Sequence, residues 1–185
     1  MRFHSVRLER PRIPFRAVNR PGSVDYDPAL QRHHLLPRQL LGRKCFAGLL
    51  GAIDARRLGF DDFRHNGVLL PAKGEAAVRL GLPLHRGPHR SYNAMVIERV
   101  GQIEARWVSK SPSAPDEAGE EALFRLALLQ RALRRRLIDP PRAPLRLNKN
   151  DPLGTGFDFT ELDAMVDQLW GATHSTLAAS SSLAA

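Results

Sequence analysis

The stretch Leu84-His85-Arg86-Gly87-Pro88-His89-Arg90-Ser91-Tyr92-Asn93 gathers three potential metal or phosphate ligands around what reads as a helix start. It constrains the fold more than any other part of the chain. Proline is tolerated at the first helical position, where its missing N–H would be unsatisfied anyway. Pro88 therefore predicts a helix that carries His89 and Asn93 one turn apart on the same face. Arg32-His33-His34-Leu35-Leu36-Pro37 lies upstream, and His65-Asn66-Gly67-Val68-Leu69-Leu70-Pro71 falls between the two. A fold that uses all three clusters has to bring residues far apart in sequence to one place.

A chain of 185 residues can fill one core and carry an appended lobe, but not two full-sized domains. Hydrophobic content of 43% and charged content of 25% are ordinary globular values and argue against wholesale disorder. The charge balance is less ordinary. Lys and Arg number 28 against 19 Asp and Glu, a net +9, which favours a polyanionic partner, nucleic acid first. The single Cys45 excludes an intramolecular disulfide and any multi-cysteine zinc site, so a metal would have to use His, Asn or carboxylate. The basic first ten residues are followed by proline and arginine rather than an apolar run, unlike a signal peptide, and no stretch reaches membrane-spanning length without a charge. The expectation is a protein of the cytoplasm, or one exported by a signal-independent system, with no membrane partner.

Residues 1–30, with four prolines and many arginines, read as an extended arm lying on the domain or on a partner. Residues 31–108 hold all three clusters and form the predicted central domain. Within it, residues 39–58 show helical spacing interrupted by Gly42, Gly48 and Gly51, and Val68-Leu69-Leu70 before Pro71 reads as a short strand. Residues 73–80 form a short helix closed by Gly81. Tyr92, Val96, Val100, Ile103 and Trp107 form the apolar stripe of a longer one, with Asn93 about 100° round from that stripe. Residues 109–119, with two prolines, read as a linker that opens a helical extension over 109–173. That extension holds a strong helix over 117–138, striped by Ala122, Leu126, Leu129, Leu133 and Leu137, and a last helix opened by Thr160-Glu161. The Ser- and Ala-rich residues 174–185 read as a disordered tail.

Adjacent residues on a strand point to opposite faces, so His33 and His34 can serve two different purposes at a strand end. A lone His-His pair is weak evidence, and Asn66-Gly67 by itself is the commonest tight-turn dipeptide. His85 and His89, followed by Asn93, change the weighing, because they place several neutral ligands about one helix start in a basic chain.

Three quoted segments carry a resemblance. They are His33-His34-Leu35-Leu36-Pro37, then Gly59-Phe60-Asp61-Asp62 leading to Asn66-Gly67-Val68-Leu69-Leu70-Pro71, then His85-Arg86-Gly87-Pro88-His89 with Tyr92-Asn93. Together, over roughly residues 33–108, they resemble the AHH nuclease family of the HNH/endonuclease VII superfamily, although Arg32 stands at the Ala position of Ala-His-His. The resemblance implies an α+β, mostly helical fold. At its centre would be a ββα-metal (His-Me finger) core with a helical insertion and a C-terminal helical extension.

The resemblance also implies a metal-dependent endonuclease acting on DNA, with RNA as the second substrate. His34 would be the general base and His33 the strand ligand of one divalent ion (Mg, Mn, Ni or Zn), with Asn66 steadying the connecting loop. The helix ligands would be His89 with either Asn93 or His85. A helix starting at Pro88 favours His89 and Asn93 and leaves His85 to touch phosphate. Arg86 and Arg90 lead the expected phosphate contacts, with Arg56 and Arg57 behind them. Relatives resembling bacterial toxin modules add the expectation of a toxin role with a cognate inhibitor (immunity) protein. Two other classes compete: a nucleic-acid-binding or interaction protein with a degenerate finger, and a zinc-stabilised structural domain.

Overall fold

The computed structural model describes residues 11–139 together with Leu145, Leu147 and Asn148. The expected helix after Thr160 and the tail from 174 lie outside the described residues, as do residues 1–10 of the arm. Two strands, β1 (Leu30–His34) and β2 (Gly67–Pro71), pair antiparallel with Leu30 opposite Pro71 and His34 opposite Gly67. The chain between them runs through two 3-10 turns, Arg38–Gly42 and Lys44–Phe46, then α1 (Ala47–Ile53) and the single turn α2 (Phe63–Asn66). After β2 come α3 (Gly74–Leu80), α4 (Arg90–Lys110) and α5 (Pro115–Ile138). The architecture is α+β and mostly helical, with helical structure inserted between the two strands.

The amphipathic stripes explain the packing. Tyr92, Val96, Val100 and Ile103 of α4 and Ala122, Leu126, Leu129, Leu133 and Leu137 of α5 are all buried in one cluster with Leu49 and Ile53 of α1 and Val68 and Leu70 of β2. Each fully buried leucine stabilises the fold by roughly 1.5–3 kcal/mol. Burial therefore outweighs exposed ion pairs such as Arg57–Glu120, at 2.7 Å, in fixing how α5 sits. Leu145 and Leu147 extend the same cluster.

Several boundaries differ from expectation, each for a local reason. The helix expected over 39–58 is reduced to Ala47–Ile53, because Arg38–Gly42 and Lys44–Phe46 take 3-10 form and Asp54, at φ +53°, ends the α-helix. The linker expected over 109–119 shrinks to 111–114: Pro115 sits in the first turn of α5, and Asp116 and Glu117 complement its N-terminal dipole there. Asn66-Gly67 is not a tight turn. Asn66 closes α2 and Gly67 opens β2, because Asp62 caps α2 by accepting from Arg64 N. Arg135 of the Arg134-Arg135-Arg136 run is exposed, as a dipole-complementing residue should be, but Arg134 turns inward and donates to the carbonyls of Arg64 (2.6 Å) and Phe63 (3.4 Å). It thereby ties α5 to the end of α2.

Gly67 has an ordinary extended backbone, yet a Cβ there would overlap the Phe63 ring. Gly67→Ala should therefore destabilise the fold by roughly 1–3 kcal/mol through overpacking, read as a lower midpoint in denaturant. An unchanged midpoint would show that Phe63 moves aside without cost.

Candidate metal centre

The strand pair and the start of α4 together build a cluster of three imidazoles. His33 faces inward from β1 and is buried, while His34, one residue on, points to the other face and is half-buried. The backbone N–H of His85 donates to the Pro71 carbonyl at 2.6 Å, which fastens the loop after α3 to the end of β2. His89 is the N-cap residue of α4, its carbonyl accepting from Asn93 N at 2.9 Å. The helix thus begins at Arg90 rather than at Pro88. Pro88 still acts as a helix-entry residue, but it precedes the cap instead of opening the first turn. Tyr92, buried in that first turn, donates its hydroxyl to the Leu35 carbonyl at 2.8 Å and so locks α4 to the chain leaving β1.

The ring of His33 lies 4.8 Å from that of His85 and 5.5 Å from that of His89, and the last two are 4.3 Å apart. One ring nitrogen from each falls within 4.8 Å of the others. The partners of the remaining nitrogens show what such a set can do. His85 Nδ1 meets Gln31 Oε1 at 3.2 Å, and His89 Nδ1 meets the Leu147 carbonyl at 3.2 Å. An oxygen acceptor requires a proton on Nδ1, so the Nε2 lone pair of both rings is left free. His33 Nε2 is buried and has no hydrogen-bond partner. A buried polar atom without a partner is costly. Here it belongs to a triad whose donors match the needs of a divalent ion, so the residues present fit a metal.

Electrostatics agree. Burial, and then the neighbouring His85, His89 and His34, hold the His33 imidazole well below its ordinary value. Burial and His89 bring His85 down to about 4. Ligand imidazoles must be neutral, and these two are neutral at physiological pH. Burial followed by the Arg38 charge lowers His34 as well, with Asp61 opposing and Arg32 adding to the effect.

Asn66 occupies the centre of the loop. It is fully buried, its Oδ1 accepts from Leu36 N at 2.7 Å, and its Nδ2 donates to the carbonyls of Leu36 (3.1 Å) and Phe60 (3.0 Å). Gln130 of α5 approaches the same Oδ1 at 3.3 Å. The other expected site residues are more scattered. Asn93 is half-buried one turn beyond His89, and Arg86 and Arg90 are exposed beside the triad. Arg56 is exposed, while the Arg57 guanidinium is engaged by Glu120 in a two-pronged bond. His65 stands apart, its Nδ1 3.2 Å from Asp62 Oδ2.

Gln31, Leu147 and Gln130 escaped the sequence reading. Gln31 alone had a signal, since it lies two positions before His33 and so on the same face of β1.

The α+β fold thus gathers three imidazoles at one place, one of them from the His-His pair of β1. AHH, described as a nuclease family of the HNH/ENDO VII superfamily with conserved AHH, matches residues 15–133, well over half of the chain. The chain belongs to that family. No curated protein and no solved structure matches it.

The lowered imidazoles set a pH dependence. For His85 the folded value, about 4, lies below the 6.5 of a free imidazole, so between those values the unfolded chain binds more protons. Stability should be flat above about pH 6.5 and fall as pH drops from there toward 4, with His33 acting in the same direction. A melting temperature that declines from pH 7 to pH 5, less steeply in His85→Asn, would match. One that rises on acidification would contradict the assignment.

Proposed function

We propose that the chain is a metal-dependent endonuclease that hydrolyses phosphodiester bonds of DNA, with RNA as the second substrate. The observation that carries this is the triad of imidazoles, one with an orphaned buried nitrogen, beside a fourth imidazole on the other face of the same strand. On this reading β1, β2 and α4 form a ββα-metal core, with His33, His85 and His89 as the ligands of one divalent ion. An all-imidazole set suits Ni or Zn better than Mg, and Mn lies between. Such an ion, with open positions, would supply positive charge to the scissile phosphate and the leaving oxygen.

The chain's own residues supply the rest. His34, kept neutral by burial and by Arg38, takes the proton of the attacking water. Asn66 holds the chain on both sides of the loop so that His33 and His34 keep their opposed directions. Arg86 and Arg90, exposed beside the triad, meet backbone phosphates, and the net charge of +9 draws the polyanion in. Asn93 stands near enough in sequence to His89 to serve as a further oxygen ligand. The narrower reading, a bacterial toxin-type nuclease covered by a cognate inhibitor protein, draws its support from the family likeness. Growth arrest on expression in a bacterial host, dependent on His34, is its test.

Nicking of supercoiled plasmid should require an added divalent ion and stop with chelator. His34→Ala should cut turnover by ~10²–10⁴, the usual contribution of a general base, while calorimetric affinity for Ni²⁺ or Zn²⁺ stays near wild type. His33→Ala, His85→Ala and His89→Ala should each lose that affinity. Wild-type nicking by His34→Ala would remove the base assignment. Intact metal affinity in His85→Ala, with loss in Asn93→Ala, would move the third ligand to Asn93.

A further inference from the structure

His85 and His89 each have a ring nitrogen tied to an oxygen. His34 differs, since neither of its nitrogens has a hydrogen-bond partner among the described residues. Its plane is set instead by Phe15. The Phe15 ring lies face to face on the imidazole, with centroids 3.7 Å apart and planes 3° from parallel. Phe63 meets Phe15 edge-on at 5.1 Å.

The segment that carries Phe15 is fastened on both sides. Phe63 N donates to the Ile13 carbonyl at 2.7 Å, Ile13 N donates to Asp62 Oδ1 at 3.2 Å, and Pro14 bridges to Asp62. Beyond the ring, Arg32 Nη1 donates to the Phe15 carbonyl at 2.8 Å. Arg32 and His34 are two apart on β1 and therefore share a face, opposite the one that carries Gln31 and His33. The family is described by a conserved AHH, and Arg32 stands at its Ala position. An alanine could not make this bond.

We propose that Phe15, clamped by Arg32, is a positioning residue for His34, fixing the plane of the imidazole so that an in-plane lone pair points at the water it deprotonates. This rests on the reading of His34 as the general base. The geometry suits the task because the lone pairs of an imidazole lie in the ring plane. A partner stacked on the face restrains rotation of the ring and leaves both nitrogens open. A hydrogen bond to one nitrogen would also orient the ring, but would occupy that nitrogen. Phe15 does not act as a plug on this account, since it covers the face of the ring and not its edge.

The test compares Phe15→Leu, Phe15→Tyr, Arg32→Ala and His34→Ala in the full-length protein. It measures kcat and KM on supercoiled plasmid with Mn²⁺, Ni²⁺ affinity by calorimetry, and the His34 ring-proton resonances in metal-free protein. Phe15→Leu should lower kcat by about tenfold or more, the scale of a misplaced reacting group. KM, Ni²⁺ affinity and melting temperature should stay near wild type. The upfield ring-current shift of the His34 protons should vanish in Phe15→Leu and persist in Phe15→Tyr, which should keep most of the turnover. Arg32→Ala, a surface change that keeps the ring, should reduce both the shift and kcat by a smaller factor, and its effect should not add to that of Phe15→Leu. It serves as the deciding variant if Phe15→Leu does not fold.

Wild-type turnover in Phe15→Leu overturns the proposal, as does a gain in turnover or a Phe15→Tyr protein as impaired as Phe15→Leu. If Phe15→Leu does not fold, wild-type turnover and shift in Arg32→Ala do the same. An inactive His34→Ala beside an unimpaired Phe15→Leu removes the positioning role alone. A fully active His34→Ala removes the base reading, and the proposal with it.

Discussion

The buried side chain of Asn66 is the constraint on which the rest of the site depends. One carboxamide accepts from Leu36 N and donates to the carbonyls of Leu36 and Phe60, while its own backbone carbonyl accepts from Leu35 N at 2.8 Å. It thus joins the chain leaving β1 to the turn that enters β2, across an insertion of some thirty residues. Each of those backbone groups is in the interior, where losing its partner costs roughly 1–3 kcal/mol. The loop therefore has one low-energy arrangement, and the directions of His33 and His34 follow from it. The helices α4 and α5 reinforce the same point from outside, Tyr92 through the Leu35 carbonyl and Gln130 through the Asn66 carboxamide.

A basic chain that buries imidazoles has to keep them neutral, and the fold does so by burial first. His33 is lowered chiefly by burial and then by His85, His89 and His34, and His85 chiefly by burial and then by His89, so these two rings avoid adding positive charge to the cluster. The positive charge that would attract a polyanion stays on the surface, at Arg86 and Arg90 among others. On the proposed function, exposed charge of this kind would attract a polyanion while the buried ring nitrogens would stay open to an ion.

The parts of this arrangement legible in the sequence were those with a period or a local signature. The stripes of α4 and α5, the strand before Pro71 and the opposed faces of His33 and His34 all follow from repeats of 3.6 or 2 residues. The convergence of the three clusters was expected from the resemblance, and the fold brings His33, His85 and His89 together. Parts fixed by contacts between distant segments were not legible. Nothing in Pro11–Asn19 marks Phe15 as the partner of an imidazole, because that segment has no period and its meaning comes from Asp62 and Arg32. The helix start was misplaced by two residues for a related reason: Pro88 is compatible with the first turn, but the bond from His85 N to the Pro71 carbonyl sets where the chain can enter it. The tie from Arg134 to α2 was hidden inside a basic run that could equally be solvated.

We propose that the three converging imidazoles, His33, His85 and His89, form one metal centre. Its most direct test is anomalous scattering from crystals of the full chain grown with Zn²⁺ or Ni²⁺. A single strong peak is expected among His33, His85 and His89, within ordinary nitrogen bonding distance of about 2.0–2.1 Å from each for zinc, with no peak in His33→Ala crystals. A peak at any other group of side chains, or an ion held without His33, would contradict it.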